Sequence, residues 1–273
     1  MNNTFNIKRF GLLVKRQWLD FGKIYLIGLV VLTAVLSGFY IFNLPKVYNG
    51  IPAINIDGYV NLDFRYPVFV IVGFLFLTIE AGSYFNNLGQ KPKAIIELMV
   101  PSSTFEKFLC GIFYTSIIGL LSYLLIFYLV DLSFCSYLER SFATLKFDYS
   151  TVVDGRQIHY NTIKVHHITA EMDIKEYWGL SALPFLISSV FLLGSVYFER
   201  FQYIKTAVSI VALISAVCYI GYKAIRLLTD GMISNGNQHM EKEDGMALIF
   251  AIAVVLTLVF WLITFVRLKE KEV

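Results

Sequence analysis

The sequence predicts an all-α polytopic membrane protein: about six transmembrane helices, both termini on the cytoplasmic side, and a small β-containing insertion on the other side. Three observations predict it: the scarcity of charge, the length of the apolar runs, and the placement of lysine and arginine.

The 273 residues are 57% hydrophobic and only 16% charged. A soluble globule carries roughly 25% charged residues to solvate its surface. Here the charge is missing in long blocks, so lipid has to be the solvent for those blocks. The formal net charge of +3 is small and does not point to nucleic acid.

Crossing about 30 Å of hydrocarbon takes roughly 20 helical residues. Six runs reach that length: 24–42, 67–85, 108–130, 179–198, 204–222 and 247–266. Membrane strands would be about ten residues long and would alternate in polarity. These runs do not alternate. The first begins only at Ile24, with no small-residue cleavage site behind it, and reads as an uncleaved span. The whole chain, 1–273, reads as a single transmembrane domain.

Orientation follows from the span ends. With the N-terminus inside, thirteen basic residues share the cytoplasmic side with six acids, while ten basic residues and thirteen acids fall outside. An even number of spans then returns the C-terminus to the cytoplasm. The segment 131–178 becomes a long extracytoplasmic insertion. Within it Phe147, Tyr149, Thr151 and Val153 alternate before Asp154-Gly155, and Ile158, Tyr160 and Thr162 alternate after it. That pattern predicts a hairpin. The final outer loop, 229–245, is polar and punctuated by glycine.

Three segments carry more than span length. Residues 5–23 read as an amphipathic interfacial helix. Ile7, Phe10, Val14, Trp18 and Phe21 fall on one stripe, and Lys8, Arg9, Lys15, Arg16 and Lys23 occupy the other faces. The loop before the third run places a short apolar piece between Pro92 and Pro101, and Ser103 to Glu106 then fits a capping box. Apart from Lys205 at the very start of the fifth run, Glu80 is the one formal charge inside a run. It reads either as a lining carboxylate or as a shallow residue pairing with Lys91 or Lys93.

No other chemistry is legible. There is no GxxxxGK[ST] stretch, no His-Glu-x-x-His and no nucleophile elbow, so no catalytic or cofactor-binding residue is expected. The neighbours His166 and His167 diverge on a strand or helix, and His159 and His239 stand apart from them, so no metal site is expected. Cys110, Cys135 and Cys218 make no disulfide framework.

An interfacial helix, six spans and a short cytoplasmic helix between spans two and three together resemble the permease subunits of ABC-2 type ABC exporters. The text IELMVPSSTFEKFLCGIFYT is similar to the LPASTxEKFL stretch of many such subunits from Bacteroidetes. It covers residues 98–109, with Val100 and Ser102 as departures. The resemblance implies a permease homo- or heterodimer in the bacterial cytoplasmic (inner) membrane, driven by a separate P-loop ATPase that binds the ATP. It implies that residues 90–100 form the coupling helix on that ATPase, with Lys91, Lys93, Ile95, Glu97 and Leu98 at the contact. The polar 229–245 differs from the apolar re-entrant helices of several members. Two further readings stand beside it. One is a non-transporting sensor or accessory subunit whose outer segment binds a ligand or partner. The other is a membrane enzyme, which the lack of polar groups in the spans disfavours.

Overall fold

The computed structural model describes residues 5–48, 51–52, 59–86, 99–100, 102–143, 149–153, 156–160, 165–168, 178–199, 201–229 and 242–271. Six of its helical stretches are long and apolar enough to cross a membrane: Ile7–Phe42, Arg65–Tyr84, Thr104–Phe142, Trp178–Tyr197, Gln202–Ile220 and Gly245–Lys271. Each holds all or most of one of the six apolar runs. Their outer faces carry large apolar side chains, with Val30 70%, Leu125 60% and Leu262 65% exposed. Water penalises so much apolar surface, whereas lipid does not. The chain is a multi-pass membrane protein.

The helices are α1 (Ile7–Phe42), α2 (Arg65–Tyr84), α3 (Thr104–Ile112), α4 (Gly119–Ala143), α5 (Leu183–Tyr197), α6 (Gln202–Thr229) and α7 (Lys242–Lys271). A π-helical turn, Phe113–Ile118, joins α3 to α4, and a 3-10 turn, Trp178–Ala182, leads into α5. Local chemistry explains several ends. Pro45 follows the end of α1 and disfavours helix at the residue before it. Ser103 caps α3, and Pro184 sits in the first turn of α5, where its missing N–H costs no helical hydrogen bond. Two short antiparallel ladders complete the described secondary structure. Val47–Tyr48 (β1) pairs with Ile51–Pro52 (β2). Tyr149–Val153 (β3) pairs with Arg156–Tyr160 (β4), Tyr149 lying opposite Tyr160. The Asp154-Gly155 turn, like Phe147 and Thr162, lies outside the described residues.

The chain packs as two compact units. One comprises 1–20, 77–120 and 177–273, the other 21–76 and 121–176. The core of the first gathers Leu13 of α1, Ala81 and Tyr84 of α2, Phe108 and Cys110 of α3, Leu192 and Val196 of α5, and Leu268 of α7. The core of the second is aromatic. Tyr40 meets the rings of Phe64, Phe127 and Phe134 at 5.4, 6.2 and 4.9 Å, and Phe69 meets Phe127 at 4.8 Å. The Tyr123 hydroxyl donates to the Phe69 carbonyl at 2.5 Å, which gives a buried phenol its partner.

One expectation needs correction here. Residues 5–23 do not form a helix separate from the first span, because α1 runs unbroken from Ile7 to Phe42. Its 36 residues measure about 54 Å, so its first turns extend well beyond the hydrocarbon. Nothing in 7–23 interrupts the helix, since no proline or glycine pair falls there.

Small residues set the close approaches. A Cβ at Gly194 of α5 would collide with the Thr206 side chain of α6, and one at Gly179 would lie 2.5 Å from the Met246 carbonyl of α7. Glycine at such contacts lets membrane helices approach backbone to backbone. Gly194→Leu should therefore force α5 and α6 apart and cost about 1–3 kcal/mol. Thermal unfolding in detergent should show a lowered midpoint, while Gly38→Leu, at a site where a Cβ meets nothing within 4 Å, should leave it unchanged.

Candidate functional site

The first unit concentrates its polar chemistry where α3 begins. Ser103 is extended (φ −73, ψ 152), and its hydroxyl accepts the Glu106 amide at 3.2 Å. The Glu106 carboxylate accepts the Ser103 amide at 3.0 Å in return, so the capping box read from the sequence forms. The same carboxylate also holds residues that no local pattern links to it. Arg9 donates to it through Nε at 2.7 Å and Nη2 at 2.8 Å, and the Asn6 amide donates at 3.0 Å. Glu106 is fully buried, yet each oxygen has donors, which is the condition for a stable buried charge.

These bonds fix how α1 meets α3. Asn6 and Arg9 lie at Glu106, the Phe5 ring lies 6.2 Å from the Phe105 ring, and the Tyr114 hydroxyl donates to the Val14 carbonyl at 2.8 Å. Val14 of α1, eight residues on from Asn6, meets Tyr114, eight residues on from Glu106, so the two segments run side by side in the same direction. The stripe expected to face lipid is therefore divided. Phe10 and Val14 pack against the core of the unit, next to buried Leu13, whereas Ile7 is 75% and Trp18 44% exposed. Phe21, half-buried, falls in the second unit.

Other chain ends collect around the same place. The Phe265 ring of α7 lies 6.1 Å from Phe105 and 5.6 Å from Phe108. Arg267 covers the Tyr197 ring at 5.2 Å, and Lys205 of α6 covers the Phe198 ring at 5.8 Å. Cations over aromatic faces are typical of helix ends leaving hydrocarbon. Phe201, between α5 and α6, is 74% exposed and holds a positive φ of 54°.

Glu80 is buried in the interior of the first unit. Its carboxylate packs on Gly119, where a Cβ would fall 2.5 Å from Oε2, and Gly119 is eleven residues into the apolar run that starts at Phe108. It is 6% exposed, enclosed by protein, while its candidate partners Lys91 and Lys93 lie outside the described residues. The coupling residues Lys91, Lys93, Ile95, Glu97 and Leu98 lie outside the described residues, as does most of 90–100.

The second unit has its own buried ion pair, between residues far apart in sequence. Arg65 donates through Nη1 to Asp131 Oδ1 at 3.2 Å and to the His166 carbonyl at 2.8 Å, and through Nε to the Leu62 carbonyl at 3.2 Å. Asp131 also accepts the Tyr40 hydroxyl at 3.1 Å and the Ile168 amide at 3.3 Å. Asp131, Cys135 and His167 bring ligand atoms within 4.8 Å of one another. The Arg65 guanidinium, however, sits on both Asp131 and Cys135 Sγ, the latter at 3.6 Å. A cation there would have to displace a buried positive charge, so the donor set fits an ion pair and not a metal.

Compared with known proteins, the chain matches no protein-family model, no curated protein and no solved structure.

Two outcomes follow from this geometry. Arg65→Met or Asp131→Leu alone should destabilise the protein by about 3–5 kcal/mol, because each strands a buried charge, and the double replacement should recover most of the loss. Chemical denaturation of all four proteins in the same detergent measures that cycle. Glu106→Gln should release the amino-terminal turns at a cost of about 2 kcal/mol, moderated because Arg9 is partly solvated. Limited proteolysis should then cut within 5–15 faster than in the parent.

Proposed function

We propose that the chain is the transmembrane permease subunit of an ATP-driven ABC transporter of the exporter type, powered by a separate ATPase subunit. In this reading it works as a permease homo- or heterodimer in a bacterial inner membrane, with both termini in the cytoplasm. The paired strands of 149–160 belong to an outer cap formed by 131–178. No catalytic step is assigned to this chain, since hydrolysis of ATP falls to the partner.

The single observation that carries the reading is the junction at Ser103–Glu106. A subunit that converts work done at one membrane face into rearrangement within the membrane needs a rigid transmitter. Segment 90–100, read as the coupling helix, leads directly into Ser103. There one buried carboxylate ties the start of α3 to α1 through four hydrogen bonds, from Asn6, Ser103 and two nitrogens of Arg9. A push on 90–100 would therefore move two helices together. The cation–aromatic pairs at Tyr197 and Phe198 put basic residues of α6 and α7 at helix ends in the same unit, which suits a cytoplasmic face.

The reading is tested at the apolar surface of the coupling segment. When the chain is purified with its native partners, Ile95→Glu and Leu98→Glu should abolish co-purification of a P-loop ATPase while leaving membrane insertion intact. An undiminished complex would remove the coupling assignment. A parent protein that brings down a kinase or regulator and no ATPase would favour the sensor or accessory reading instead.

A further inference from the structure

Three buried carboxyl groups can be compared within this one fold. Glu106 accepts four hydrogen bonds and a guanidinium charge. Asp131 accepts hydrogen bonds from Tyr40, Arg65 and Ile168. Glu80 is also enclosed, at 6% exposure, yet among the described residues neither of its oxygens has a hydrogen-bond partner. The two satisfied groups show what this protein supplies where it keeps a carboxylate charged away from water. Glu80 receives none of it.

Lys91 and Lys93 lie outside the described residues, and among the described residues of this unit no ion pair or hydrogen bond reaches the Glu80 carboxyl. On the α3 side, Arg9 and Glu106 hold each other, the Tyr114 hydroxyl is bonded to Val14, and Lys107 stands about 18 Å of helix rise from Gly119. Cys110, also on α3, carries no positive charge. On α2 itself, the Tyr84 ring packs on Phe85 and Tyr114. On α5 and α6, Tyr203 meets Thr78 at 3.4 Å, Lys205 lies over Phe198, and Tyr197 is covered by Arg267.

The space around the carboxyl is shaped by two backbone features. Gly119 leaves open the volume that a Cβ would take from Oε2. The residues just before it, Phe113–Ile118, form the π-helical turn, a rare irregularity that is concentrated at functional positions. The same turn presents Ser116, hydrogen-bonded to Ser188 of α5 at 2.9 Å, so polar atoms do enter the interior of this unit.

We propose that Glu80 is a proton-binding site within the membrane, its carboxyl held as the neutral acid against Gly119. The inference rests on burial, on the missing partners and on the cost of an isolated charge in hydrocarbon. It holds whether or not the chain is a permease. A neutral acid at this depth is reactive toward an apolar carbodiimide. Its proton passes to a carbodiimide nitrogen while a carboxyl oxygen bonds to the central carbon. The resulting O-acylisourea rearranges to an N-acylurea, with no atom lost and no oxidant required.

The test uses the full chain in lipid nanodiscs near neutral pH. Dicyclohexylcarbodiimide should modify Glu80, as read by peptide mass spectrometry, while a water-soluble carbodiimide with an added amine should not. Infrared spectra should show a protonated carboxyl C=O band that disappears in Glu80→Gln, and that variant should keep the parent's thermal midpoint. Absence of the protonated band would overturn the proposal, as would labelling by the soluble reagent. A clearly lowered midpoint for Glu80→Gln would also overturn it, since it would reveal an ionised, paired carboxylate.

Discussion

Hydrocarbon supplies no hydrogen bonds, and that constraint organises nearly every feature of this protein. Each backbone amide within the membrane has to find its partner inside its own segment, so the long apolar runs become helices. Side chains obey the same rule one at a time. Thr115 turns back to the Gly111 carbonyl, Thr206 to Gln202, Thr257 to Ala253 and Thr264 to Phe260, each at 2.7–2.8 Å. A hydroxyl satisfied four residues back along its own helix needs no neighbour, which lets it sit in an apolar interior at little cost. Charges cannot be satisfied so cheaply, and they gather into a few dense networks.

Those networks also divide the structural labour. In the first unit, Glu106 fastens the amino-terminal turns of α1 to the beginning of α3. In the second, Asp131 and Arg65 draw α2, α4 and the His166 backbone around Tyr40. Apolar packing in a membrane lacks the strong drive that water gives it, so fixed polar contacts and close glycine approaches take on a larger share of specifying which helices meet. Glu80 stands out against that background because, of the buried carboxyl groups among the described residues, it is the one whose oxygens have no hydrogen-bond partner.

Much of the helical framework was legible in the sequence because length and apolarity are properties of single segments. The start of α3 was legible for the same reason, since Ser103 and Glu106 lie within one turn. What lies between segments was not. Arg9 and Glu106 are separated by 97 residues and Arg65 and Asp131 by 66, and no local pattern announces either pair. Periodicity places Phe10 and Val14 on an apolar face without saying whether lipid or protein covers it, and both pack against the core of the first unit. For Glu80 the sequence leaves two readings open, and its burial against Gly119 depends on a helix that no local pattern around Glu80 announces.

The upright attachment of residues 6–14 to α3 has a practical side. An amino-terminal segment lying loosely on the lipid would report only on the bilayer. Here residues 6–14 are bolted to the root of another helix, through Glu106 at one level and Tyr114 at the next. A fluorophore placed at Phe5 would therefore act as a pointer for α3, giving an observer outside the membrane a view of motion that begins within it.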